Sequence, residues 1–297
     1  MKIGLIDVDG HNFPNLALMK ISAYHKARGD TVEWAMALDH YDIVYQSKVF
    51  DNTYSPDIEW VPSANKVIKG GTGYGLDNTL PDEIEHIYPD YSIYPKLTKD
   101  TAYGFLTRGC PRRGCSFCIV AEKEGRFSHK VADLSEFWRG QKNIVLLDPN
   151  ILACREHPDL LQQLIESKAK VDFNQGLDIR LTNESNIVLL NQVKVNNIHF
   201  AWDHAEDDLK PYFERYKALA KHKPHGRYGT VYCLVNHGST IDEDLYRIYT
   251  LDQMGYDPYV MIYDKPNASK VIRHLQRWCN AKWIFRSCPD FRKYKGG

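Results

Sequence analysis

The stretch from Tyr103 to Cys118, YGFLTRGCPRRGCSFC, passes from a short apolar run into a loop that holds three of the chain's seven cysteines. Those three, Cys110, Cys115 and Cys118, have C-x4-C-x2-C spacing. An odd cysteine count with three clustered argues against a disulfide framework and for a metal or redox centre. The other four, Cys154, Cys233, Cys279 and Cys288, are scattered and read as buried small hydrophobes or ordinary thiols.

Working outward, the apolar run Tyr103–Leu106 is the first of a series of strand-like segments. The others lie at Asn143–Leu147, Val171–Phe173, Asn197–Ala201, Thr230–Val235 and Pro258–Tyr263. Helix-like segments at 157–168, 183–192, 206–221, 241–254 and 267–278 separate them. Six β/α units are too few for a closed eight-stranded barrel, which typically needs about 250 residues, so the expectation is a (β/α)6 partial barrel. A doubly wound sheet gives the same alternation. Either way the polar segments that follow the strands converge on one mouth. They are Asp148-Pro149-Asn150, Gln175 to Arg180, Trp202-Asp203-His204, Asn236-His237-Gly238 and Asp264-Lys265. The cysteine loop opens onto the same mouth.

Upstream, Ile3–Val8, a helix over Leu16–Ala27 capped by Asn15, and strands at Thr31–Ala35, Asp42–Gln46 and Lys66–Ile68 predict a small Rossmann-like parallel α/β domain. The Pro- and Tyr-rich stretch 80–99 reads as a connection. The expected domains are therefore 1–95, 96–265, and a C-terminal piece, 266–297.

Bulk composition narrows the function. The 297 residues are 43% hydrophobic, enough for a sizeable core, and carry 38 Lys and Arg against 38 Asp and Glu. Such a balance provides no general drive toward phosphate backbones, so nucleic acid is not the favoured partner. Acidic residues at Asp7 and Asp9 argue against a secretory leader, and no apolar run approaches the roughly 20 residues of a membrane span. A cytoplasmic protein is expected.

The cysteine loop has three readings. Structural zinc needs four ligands, and no second Cys or His pair follows Cys115 and Cys118. The spacing is that of a plant-type ferredoxin, for which Cys154 is the nearest fourth ligand, yet such a carrier leaves the polar mouth without a role. In the third, three cysteines hold a four-iron cluster and one iron stays open to bind a ligand.

For this third reading, Thr107-Arg108-Gly109-Cys110-Pro111 leading into Cys115-Ser116-Phe117-Cys118 resembles the radical S-adenosylmethionine (SAM) enzymes. The family's usual spacing is C-x3-C-x2-C, and here Arg112-Arg113-Gly114 lengthens the first gap by one residue. Gly114 can absorb this through a positive φ.

The resemblance implies a [4Fe–4S] cluster on Cys110, Cys115 and Cys118, with SAM chelated by the open iron. It also implies an electron donor such as a flavodoxin or ferredoxin, and an unknown substrate. Phe117 is expected beside the adenine. The family's glycine pair after the second strand is replaced by Asp148-Pro149-Asn150, so Asp148 or Asn150 is expected to meet the SAM ammonium. Gln175, Asp178 and Arg180 are candidates for the ribose and carboxylate. No catalytic acid or base is assigned.

The segment Asp9-Gly10-His11, with the later Gly70-Gly71, is similar to a shortened cobalamin-binding domain. The family pattern D-x-H-x-x-G meets Pro14 where its glycine belongs, so cobalamin is not expected and His11 reads as a loop residue. The basic, aromatic C-terminus from Trp283 to Lys295 reads as a final strand with a solvated tail.

Overall fold

The computed structural model describes residues 1–10 and 12–296. His11 lies outside them. The chain divides into two compact units, one of residues 1–104 and 132–144, the other of 105–131 and 145–297.

In the first unit, β1 (Lys2–Asp7), β2 (Thr31–Trp34), β3 (His40–Ser47) and β4 (Ser63–Gly70) form a parallel sheet in the order β2-β1-β3-β4. Helix α1 (Leu16–Ala27) starts where Asn15 accepts the Leu18 N–H at 3.1 Å, as a short polar cap does for a first-turn amide. It buries Leu18 and Ile21 against Ile3 and Leu5. Tyr41, Val44 and Ile6 fill the other face of the sheet.

The stretch expected as a connection is folded onto α1 through α2 (Asp82–Glu85). Ile84 joins the apolar cluster, Lys20 pairs with Glu85 at 2.8 Å, and Asp90 accepts from both Ser22 and Lys26 at 2.7 Å.

A second sheet contains β5 (Thr101–Gly104), β8 (Asn143–Leu146), β9 (Lys170–Phe173), β10 (Val195–Ala201), β11 (Thr230–Val235) and β12 (Asp257–Ile262), in the order β12-β11-β10-β9-β8-β5. Neighbours from β9 to β12 pair in parallel. The order runs monotonically along the chain, so this sheet lacks the reversal that defines a doubly wound arrangement.

Between β5 and β8 lies a feature that periodicity did not reveal. A short antiparallel ribbon, β6 (Thr107–Arg108) with β7 (His129–Lys130), brackets the cysteine loop and the single-turn α3 (Val120–Lys123). Two-residue strands are too short to show any alternation.

Helices α4 (His157–Ser167), α5 (Glu184–Leu190), α6 (Lys210–Leu219), α7 (Ile241–Met254) and α8 (Lys270–Asn280) follow the strands. Their apolar stripes pack on the sheet. Phe200 of β10 meets Phe213 and Tyr216 of α6, with edge contacts at 4.8–6.0 Å. Trp278 and Leu275 of α8 meet Val260 and Val235. The side chains between these inward residues line the opposite face: Asp172, Asn197, His199, Tyr232 and Tyr259, joined by the Asn197–Asp172 hydrogen bond and the stacking of His199 on Tyr232.

The C-terminus corrects an expectation. Residues 282–287 form helix α9, not a strand, and Phe285 and Ile284 pack into the α7–α8 core. Arg292 pairs with Asp242 at 2.9 Å and Lys293 with Asp290 at 3.6 Å. No described helix is long and apolar enough to cross a membrane.

Candidate functional site

The site belongs to the second unit. Gly109, at φ +82°, turns the chain out of β6 into the cysteine loop, and a Cβ here would stand 2.1 Å from the Phe127 carbonyl oxygen. Only glycine fits. Gly114 also has positive φ, +85°, but open space surrounds it. The Cys110 N–H donates to the Gly125 carbonyl at 3.2 Å, and a tight turn closes where the Cys118 N–H meets the Cys115 carbonyl at 3.0 Å.

Cys110 and Cys115 are half-buried and Cys118 is exposed. Burial pushes the Cys115 thiol up; Arg112 counters this, while Asp203, Cys118 and Cys110 add to it. These groups are its electrostatic neighbours. Among the described residues, no three His, Cys, Asp or Glu side chains are arranged as ligands of one metal ion.

Cys154, the fourth ligand a ferredoxin reading would need, is buried and engaged with Glu156. It is 1% exposed, its thiol donates to Glu156 at 3.1 Å, and burial first, then that bond, pushes it up to about 11. Its strongest charged neighbours are Glu156 and Asp148.

Asp148 and Asn150 sit two residues apart after β8, with different roles. Asp148 is buried, and its carboxylate accepts the Leu106 N–H at 3.2 Å, the Thr107 N–H at 2.5 Å and the Thr107 hydroxyl at 2.7 Å. It fastens the strand end that leads into the cysteine loop. Burial raises its carboxyl to about 6 even though these hydrogen bonds pull the other way.

Asn150 faces Cys110. Its Nδ2 lies 3.5 Å from Cys110 Sγ, and its buried Oδ1 has no hydrogen-bond partner among the described residues. An unpaired buried amide oxygen is costly and suits a hydrogen-bond donor.

Phe117 lies in the loop with its ring 5.9 Å from His204 and 5.4 Å from His237, which in turn packs on Tyr263 at 4.6 Å. The Ser116 hydroxyl and His237 Nε2 are 3.1 Å apart. The loop is therefore seated on the segments that follow β10 and β11, and His237 links it to the end of β12. His204 adds a second buried, unpartnered atom, Nε2.

After β9, Asp178 and Arg180 are committed to each other through a two-pronged contact at 2.9 and 2.8 Å, and Arg180 extends to Asp207 at 3.4 Å. Gln175 is exposed. Asn236, held at φ +64°, donates to the Tyr263 carbonyl at 2.9 Å and serves the loop.

Two supports escaped the sequence reading. Arg112 reaches Asp203 at 3.6 Å and Asp207 at 3.9 Å. Arg247 of α7 is fully buried, donating to the carbonyls of Trp202, Asp203 and Leu234 at 2.6–2.9 Å and pairing with Asp244. Its spacing from Leu251 and Met254 puts it on the apolar stripe of α7, while its charge alone argues for solvent. What places it inside is the set of carbonyls at the ends of β10 and β11, which only the assembled sheet brings together.

In the first unit, the Asp9 carboxylate accepts the N–H groups of Val49 and Phe50 at 2.7–3.0 Å. The approach of Gly71 to the Lys48 carbonyl leaves no space for a Cβ. Both are loop supports.

The loop thus carries three cysteines, with the unpartnered Asn150 Oδ1 beside Cys110 and the unpartnered His204 Nε2 on a residue that packs near Phe117. No protein-family model matches the chain, and no curated protein matches it either.

Proposed function

We propose that this chain is a radical SAM enzyme whose Cys110, Cys115 and Cys118 hold a [4Fe–4S] cluster with one open iron. The observation that carries the reading is Asn150: a buried carboxamide beside Cys110, with its oxygen unpaired, where the ammonium of a chelated amino acid would come to rest. A cluster held by these cysteines would supply, from an external donor, the one electron needed for reductive cleavage of SAM to methionine and a 5′-deoxyadenosyl radical able to take a hydrogen atom from substrate.

The protein's part is to bind, orient and exclude water. Asn150 Oδ1 accepts from the ammonium. Phe117 offers an apolar ring to the adenine. Arg180, already oriented by Asp178, and the exposed Gln175 are the groups available to carboxylate and ribose. Asp148 orients the loop's first turn and makes no ligand contact of its own in this scheme.

The monotonic parallel sheet is read as a (β/α)6 partial barrel, its Asp172, His199 and Tyr232 face forming the inner wall. A flavodoxin or ferredoxin is the proposed electron donor. The seven free thiols suit a reducing cytoplasm.

Anaerobic reconstitution with iron and sulfide, followed by reduction with SAM present, tests this directly. The expected product is 5′-deoxyadenosine, lost when any of Cys110, Cys115 or Cys118 is changed to Ala and retained in Cys154→Ala. A cluster-loaded protein that forms none sinks the proposal. Loss of the cluster in Cys154→Ala would point instead to a four-cysteine carrier.

A further inference from the structure

The lengthened gap between Cys110 and Cys115 contains two arginines with opposite fates. Arg113 is exposed. Arg112 turns inward, its side chain 19% exposed, and faces Asp203 and Asp207 on the segment that follows β10. Asp207 also faces Arg180, which grips Asp178 on the segment after β9. A chain of alternating charges therefore runs from the cysteine loop across two strand ends.

The separations within it are unequal. Arg180 and Asp178 are in hydrogen-bond contact, whereas Arg112 stands 3.6 and 3.9 Å from its carboxylates, beyond a true hydrogen bond. Its Nε is buried with no partner among the described residues. A guanidinium carries five N–H donors and rarely leaves a buried one unspent. This one is oriented by two anions but not consumed by them.

We infer that Arg112 is a positioning residue for the cluster: it anchors the lengthened loop to the end of β10, and its charge and free N–H favour the reduced cluster. This rests on the radical SAM reading. The physical basis is general, since hydrogen bonds to the sulfurs and net charge nearby set iron–sulfur potentials, and a cation stabilises the state with the extra electron. Arg112 faces Asp203 and Asp207, and Asp203 in turn has His204, Arg247 and Arg180 as further charged neighbours. The loop's extra residue then has a use beyond reach: it brings a cation to the cluster.

The test is a potentiometric EPR titration of the reconstituted wild type, Arg112→Gln, Arg112→Lys and Asp203→Asn, reading the one-electron reduction of the cluster without SAM or turnover. Arg112→Gln is expected to lower the equilibrium constant for reduction about tenfold, or ~59 mV. Arg112→Lys keeps the charge and should stay within about threefold of wild type. Asp203→Asn, which removes an anion and leaves Arg112 in place, should shift the constant upward by at least about threefold. That arm is readable even when Arg112→Gln does not fold.

A wild-type potential in Arg112→Gln overturns the inference, as does an equal fall in Arg112→Lys or a downward shift in Asp203→Asn. In each of those cases the cluster is present and the radical SAM reading survives. A wild type that assembles no four-iron cluster removes that reading and the inference together.

Discussion

Asn150 approaches Cys110 with its Nδ2 3.5 Å from the thiol, and its Oδ1 is left buried and unpaired. The proposed function gives that oxygen a donor, the SAM ammonium. Replacing Asn150 by Leu, close in size and apolar, should cost under about 1 kcal/mol of stability, since one poorly satisfied buried amide leaves the interior. SAM affinity of the cluster-loaded protein should fall about tenfold, or ~1.4 kcal/mol. Urea denaturation of the cluster-free chain and equilibrium dialysis of SAM read the two effects separately. Unchanged affinity would place the ammonium elsewhere.

Gly109 and Gly114 share a positive φ and differ in space. Gly114→Ala incurs only the left-handed backbone, about 1 kcal/mol, and should still load iron. Gly109→Ala adds a clash with the Phe127 carbonyl and should lose most of its iron along with several degrees of Tm. Iron content per chain, measured on both variants, decides; equal loading would mean that the β6–β7 ribbon shifts freely.

Asp148 imposes a pH dependence. Its folded carboxyl titrates near 6, above the ordinary value of 3.8, so the folded state holds the proton more tightly than the unfolded chain does. The resulting stability is complete below pH 3.8 and is lost as pH rises through about 6. A shift of about two units corresponds to roughly 3 kcal/mol. Asp148→Asn should remove this fall, so its urea-derived stability declines less than the wild type's between pH 4.5 and 7. Parallel curves for the two proteins would contradict the assignment.

Arg247 and Asp244 form a fully buried pair. Removing one partner of such a pair costs about 3–5 kcal/mol, because the other is left charged and dry. Arg247→Met should fall in that range and release the Trp202 and Asp203 carbonyls. The double variant Asp244→Leu with Arg247→Met should recover at least half of the loss, measured as urea midpoints. If the single and double variants lose the same stability, the carbonyl contacts matter more than the charge pair.

How much of this was written in the chain differs from residue to residue. Helix α1 begins and ends at Leu16 and Ala27 as Asn15 and Gly29 imply, and β11 and α7 match their predicted limits, because capping residues and periodic apolar stripes are local signals. The cysteine spacing, the series of β/α units and the polar strand ends are likewise linear facts.

Other features depend on contacts between residues far apart in the sequence. The monotonic strand order, the bracketing ribbon, the burial of Arg247 and the division of labour between Asp148 and Asn150 arise when separate strand ends are brought side by side. Asp148 and Asn150 look equivalent in sequence. In the fold, one is spent on the Leu106 and Thr107 amides, and the other is left with an unpaired oxygen beside a thiol. Local propensity and spacing determined the elements and the polar groups; hydrogen-bond partners across the sheet, which no local rule specifies, decided which of those groups stay unpaired.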